Sequence, residues 1–148
     1  MSDLRELYQE VILDHGKAPR NYRFPEPSSH SAEGHNPLCG DHVIIKLRLN
    51  GDTIEDIGFQ GSGCAICTAS TSTMTEVLKG KSIESMQRLF EEFHKLVTQG
   101  ERVDLEALGK LAVFSGVGEF PMRVKCATLS WHTVKAALEN PQSAVSTE

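Results

Sequence analysis

The stretch from Val43 to Gln60 is the part of this chain that most constrains its fold. Val43, Ile45, Leu47 and Leu49 alternate with Ile44, Lys46 and Arg48, the two-residue period of a strand with one face buried. "NGD" at 50–52 is hairpin-turn chemistry, and "TIEDIGFQG" reads as the returning strand. So short a link cannot cross over, so the two strands must be antiparallel neighbours. A sheet with one apolar face needs helices to cover it, and the rest of the sequence supplies them.

Leu4, Leu7, Tyr8, Val11 and Ile12 line one face of a helix, with Asp3 as its cap and Gly16 and Pro19 as its stop. Residues 19–38 carry Pro19, Pro25, Pro27 and Pro37 and read as an extended loop or edge strand. A helix from Cys64 to Lys79 ends at Gly80. Its hydroxyl-rich first half (Thr68, Ser70, Thr71, Ser72, Thr73, Thr75) has little propensity of its own and must be held by packing. Further helices are expected over Ser82–Thr98, with Ile83, Met86, Phe90, Phe93 and Val97 on one face, over "DLEALGKLAVF" at 104–114, and over Arg123–Leu138. Residues 1–140 read as a single α+β domain, and residues 141–148 as a flexible tail.

The chain has 148 residues, enough to bury a core without covalent staples. The N-terminus has no secretory h-region, and no apolar run approaches spanning length, so a cytoplasmic, reducing setting is expected. There the four cysteines are expected to bind metal or do chemistry rather than form a disulfide framework. A net charge of −5 argues against nucleic acid as the main partner.

Three cysteines sit at element edges: Cys39 in the "NPLCGD" turn, Cys64 opening a helix after the hairpin, and Cys126 near the start of the last helix. The hairpin should bring Cys39 and Cys64 together. Helix N-termini, with Arg123 and Lys125 nearby, favour thiolates at Cys64 and Cys126. Asp41, two residues beyond Cys39, is the obvious oxygen donor, and Gly40 lets the backbone bring both side chains to one point. Three thiolates and one oxygen suit Zn²⁺ or an iron–sulfur cluster better than Mg²⁺ or Ca²⁺. Taken singly, each cysteine reads equally well as a small buried residue, Asp41 reads first as a turn residue, and the spacing matches no short zinc-finger signature.

"NPLCGD", "GSGCAICTASTSTMTE" and "RVKCATLSWHTV", in this order, resemble the IscU/SufU family of iron–sulfur cluster assembly proteins. The SufU branch is the closer match. The segment around residues 88–106 is similar to that branch's insertion. Lys125 also stands where scaffold-type members carry a histidine ligand, and Arg123 lies three places before the cysteine. The resemblance implies a small antiparallel sheet against several helices (SufE/IscU-like), with a metal site at one exposed end. It implies Zn²⁺ on Cys39, Asp41, Cys64 and Cys126. It further implies sulfur transfer to Cys39 from a pyridoxal-phosphate-dependent cysteine desulfurase of the SufS type, and onward delivery to downstream assembly proteins. Arg123 would orient the acceptor or the incoming persulfide, or be merely a solvated helix-start residue. Zn²⁺ suits such a site because it has no redox chemistry and exchanges ligands readily. Whether such a chain counts as an enzyme, a zinc-dependent sulfurtransferase, is left open by the sequence.

Two other readings stay open: a scaffold carrying a 2Fe–2S cluster on the same residues, and a dithiol redox protein using Cys64 and Cys67. Cys67 departs from the family pattern. The C-x-x-C it forms lacks the βαβ setting of a redox motif, so Cys67 reads first as a buried space-filler. His35 and His42 flank the turn as loop residues, His132 lies on a different helix face from Cys126, and Trp131 reads as core.

Overall fold

The computed structural model describes residues 2–37, 39–98, 108–139 and 143–146. In order, these form α1 (Ser2–Lys17), β1 (His30–Asn36), β2 (Asp41–Asn50), β3 (Thr53–Ser62), α2 (Ala65–Leu78), α3 (Ile83–Thr98), a 3₁₀ segment (Gly109–Glu119), α4 (Pro121–Glu139) and β4 (Ser143–Ser146). The sheet order is β3-β2-β1-β4. β1, β2 and β3 pair antiparallel with one another, with β2 and β3 closing through the expected turn, where Asn50 faces Thr53. Helices α2 and α4 pack across one face. On that face Val43, Ile45 and Leu47 of β2 are buried, while Ile44, Lys46 and Arg48 are half-exposed, as the alternation requires. This is an α+β fold.

The backbone departs from the sequence expectation in three places. β1, expected as loop or edge, is an inner strand. It pairs with β2 on one side and, in parallel, with Ser143–Ser146 on the other. Within the segment expected to be a tail, Ser143–Ser146 is a strand, because the unpaired side of β1 is a template for any extended segment that follows α4 closely. Of the helix expected at 104–114, residues 104–107 lie outside the described residues. From Gly109 the chain is a 3₁₀ segment. Leu111, Phe114 and Val117 are all buried and recur every third residue, which is the period of that helix.

The hydroxyl-rich α2 is held by packing and by its own backbone. Thr71 donates to the Cys67 carbonyl and Thr73 to that of Ala69, both at 2.8 Å. Ser70 donates to the Ala127 carbonyl on α4. Ser72 takes the Arg20 backbone N–H at 2.7 Å and lies 2.7 Å from His15 Nδ1. Ser70 and Ser72, on opposite sides of α2, thus tie it to α4 on one side and to α1 and the following loop on the other. Below it, Trp131 stacks on Phe93 at a centroid distance of 5.1 Å, and Phe93 meets Phe114 edge-on. Trp131 is fully buried, as expected from the sequence.

Burial holds His15 and His132 below the ordinary imidazole value. Arg20 pushes His15 the same way, against the weaker pull of Glu76 at 3.8 Å. With the folded pKa depressed, the unfolded chain takes up protons first as pH falls. The stability contributed by neutral histidine is therefore present above about pH 6.5 and lost below it, by at most about 1.4 kcal/mol per pH unit for each extra proton. Urea denaturation is expected to show midpoints falling between about pH 7 and pH 5, and His15→Gln is expected to flatten that fall. An unchanged slope in the variant would remove His15 from the account.

Candidate metal centre

The turn between β1 and β2 carries Cys39 and delivers Asp41 as the first residue of β2. The Cys39 N–H donates to the Asn36 carbonyl at 3.3 Å, and Gly40 takes a φ of +73°, a conformation open to glycine at little cost. From Asp41 the hairpin runs out and back. Ser62 pairs with His42, and Cys64 arrives beside Asp41, its backbone N–H donating to Asp41 Oδ1 at 2.9 Å. The intervening Gly63 leaves room for that carboxylate, since a Cβ there would sit 2.6 Å from Asp41 Oδ1. Cys126 enters from α4, its thiol donating to the Met122 carbonyl at 3.5 Å.

Ligand atoms of Cys39, Asp41 and Cys126 lie within 4.8 Å of one another. Asp41 and Cys126 are fully buried, and Cys39 is half-buried. Asp41 Oδ2 is buried with no hydrogen-bond partner, a costly state for a carboxylate oxygen. A cation held by this carboxylate and the two thiol sulfurs would give it a partner, and the mixed sulfur–oxygen donor set fits Zn²⁺. Cys64 stands next to this group at the N-cap of α2 but does not complete it. Its Sγ accepts from the Cys67 N–H at 3.5 Å.

The expectation of a helix-stabilised thiolate fails at Cys126. Because α4 begins at Pro121, Cys126 lies beyond the first turn, where the dipole fades. Burial then dominates and pushes its thiol up, and the neighbouring Asp41, Cys39 and Cys64 act in the same direction. Cys67 is buried in the core and its thiol is likewise pushed up, mainly by desolvation. Arg123 lies exposed on the first turn of α4, and Lys125 is half-buried. His35 and His42 are strand residues rather than loop residues: His42 Nε2 lies 2.7 Å from Glu33, and neither joins the cluster among the described residues. His132 packs edge-on against Phe90 at 5.1 Å.

Asn36, which the sequence reading passed over inside "NPLCGD", belongs to the site. It is fully buried, its Nδ2 lies 3.9 Å from Cys126 Sγ, and its Oδ1 has no partner. The signal was its place at the end of a strand beside a cysteine turn, which is also an ordinary place for asparagine.

The family model for the NifU-like N terminal domain matches residues 7–140. The chain belongs to the IscU/SufU family of iron–sulfur cluster assembly proteins. It is 40% identical over 134 residues to the zinc-dependent sulfurtransferase SufU of Bacillus subtilis, covering 90% of each chain. It is 37% identical over 144 residues to the iron–sulfur cluster assembly scaffold protein IscU of Streptococcus pyogenes, covering 97% of this chain and 90% of that one. A crystal structure of a proposed SUF-system assembly scaffold from Fervidobacterium islandicum superposes with a TM-score of 0.82 at 36% identity, covering 87% of this chain and 94% of that one. No helix among the described residues is long and apolar enough to cross a membrane.

Proposed function

We propose that this protein is a zinc-dependent sulfur acceptor in iron–sulfur cluster assembly, taking persulfide sulfur from a cysteine desulfurase onto Cys39. The observation that carries the metal half is the buried Asp41 carboxylate, one oxygen of which has no hydrogen-bond partner, grouped with the thiols of Cys39 and Cys126 within 4.8 Å. Asp41, Cys39 and Cys126 would hold the ion, with Cys64 turning from its N-cap bond to complete the set. Zn²⁺ bound there would keep the buried sulfurs as thiolates, reversing the effect of burial.

The division of labour among the thiols supports the sulfur-acceptor half. Cys39 is half-exposed on a glycine-flanked turn, whereas Cys126 is sealed in the core. An acceptor must reach a partner's persulfide, and a holding ligand need not. In the transfer, the Cys39 thiolate attacks the outer sulfur of the desulfurase persulfide. The S–S bond breaks, the desulfurase cysteine leaves as thiolate, and the sulfur remains as a persulfide on Cys39. Arg123, exposed on the first turn of α4 three residues before Cys126, is suited by its charge to orient that anionic sulfur. The likeness to a protein named a zinc-dependent sulfurtransferase, and Lys125 before Cys126, favour this reading over a cluster scaffold.

Metal and acid-labile sulfide analysis of protein isolated without oxygen tests it. One zinc per chain, no sulfide and no visible absorption are expected. Two irons with two sulfides and a brown colour would make the protein a scaffold instead.

A further inference from the structure

The last residue of β1 is a node of the site. Asn36 holds Cys39 through its backbone carbonyl at 3.3 Å, faces Asp41 as its register partner, and reaches Cys126 Sγ with its side-chain amide at 3.9 Å. Any residue would supply the first two contacts, because both are backbone. The side chain's own hydrogen bond goes to sulfur.

We propose that Asn36 is a positioning residue of the centre, its Nδ2–H₂ donating to Cys126 Sγ and aiming that sulfur at the ion beside Asp41. The inference rests on the metal reading of the site. Two facts carry it. A fully buried amide is costly where it lacks partners, and Oδ1 of Asn36 has none. An apolar side chain of similar volume would fill the space without that cost, so the amide is explained by the contact it makes. The second orphaned acceptor at this end, Asp41 Oδ2, lies on the register partner of Asn36. Outer groups that donate to a ligand fix its orientation and tune its donor strength, and their loss commonly costs about 10–100-fold in metal affinity.

The test compares the wild-type chain with Asn36→Leu, which keeps the number and branching of heavy atoms without a polar group, and Asn36→Asp, which replaces the donor by an acceptor. Zn²⁺ affinity is read by competition with a chromogenic chelator. The sulfur environment is read from the sulfur-to-metal charge-transfer band of the Co²⁺-loaded proteins. Both variants are expected to bind Zn²⁺ about 10–100-fold more weakly, with the Co²⁺ band moved to longer wavelength because an undonated thiolate gives up charge more readily. Weaker binding with an unmoved band would mean a structural role alone and overturn the proposal, as would unchanged affinity. If the wild-type chain itself bound no Zn²⁺, the metal reading would fall first. A measurement on the wild-type chain guards against variants that do not fold. The Asn36 side-chain amide proton resonances are expected to move downfield on Zn²⁺ loading, and resonances that stay in place would also overturn the proposal.

Discussion

Asp41→Asn is expected to strip the protein of its metal while leaving its fold standing. Asp41 does two separable things. Its Oδ1 accepts the Cys64 N–H at 2.9 Å and so fixes the entry to α2, while its Oδ2 is buried without a partner in a carboxylate grouped with the Cys39 and Cys126 thiols. Asparagine keeps an oxygen for the cap at nearly the same volume but removes the negative charge. Loss of a direct donor should exceed the roughly 10–100-fold that loss of an outer-shell group costs. The metal-free variant should be no less stable than the metal-free parent, because a buried carboxylate oxygen without a partner is itself destabilising. Chelator competition and urea denaturation of the metal-free proteins check both halves. Equal zinc affinity in the variant would remove Asp41 from the ligand set.

The second large effect is Cys39→Ala. Stimulation of a cysteine desulfurase by this protein is expected to fall to the level of the desulfurase alone. Cys39 is half-buried on a turn, so its truncation should cost about 1 kcal/mol or less, the ordinary scale of a mild substitution. Cys126→Ala makes the contrast. That side chain is fully buried beside Asn36 of β1, so its removal leaves a small cavity and an unpaired Asn36 amide, and stability should fall with activity. Steady-state desulfurase assays with far-ultraviolet circular dichroism separate the two cases. Residual stimulation by a folded Cys39→Ala protein would move the acceptor role to another thiol.

The parts of this molecule legible in its sequence are those set by local periodicity. The β2–β3 hairpin, α1, α2, α3 and α4 all follow from alternation or helical spacing, within a residue or two at their ends. The hairpin set Cys64 beside Cys39 and Asp41, whereas Cys126 was joined to them through its own helix start and the resemblance of the three motifs, and the observed cluster holds Cys39, Asp41 and Cys126 without Cys64. What was hidden depends on contacts far apart in the chain. β1 has too little apolar character to announce an inner strand, and it becomes one only because Ser143–Ser146 returns beside it. The Cys126 thiol looked favoured by a helix start. The helix begins five residues earlier, at Pro121, and desolvation decides its acidity instead. Asn36 could not be singled out because its importance lies in what α4 places against it.

The central claim is tested most directly by locating the sulfur. The zinc-loaded protein is mixed with a pyridoxal-phosphate-dependent cysteine desulfurase and cysteine, quenched by alkylation, and mapped by peptide mass spectrometry. The account predicts one added sulfur on the peptide that carries Cys39 and none on those carrying Cys64, Cys67 or Cys126. Sulfur found on another cysteine, or none on this chain while desulfurase turnover still rises, would contradict it.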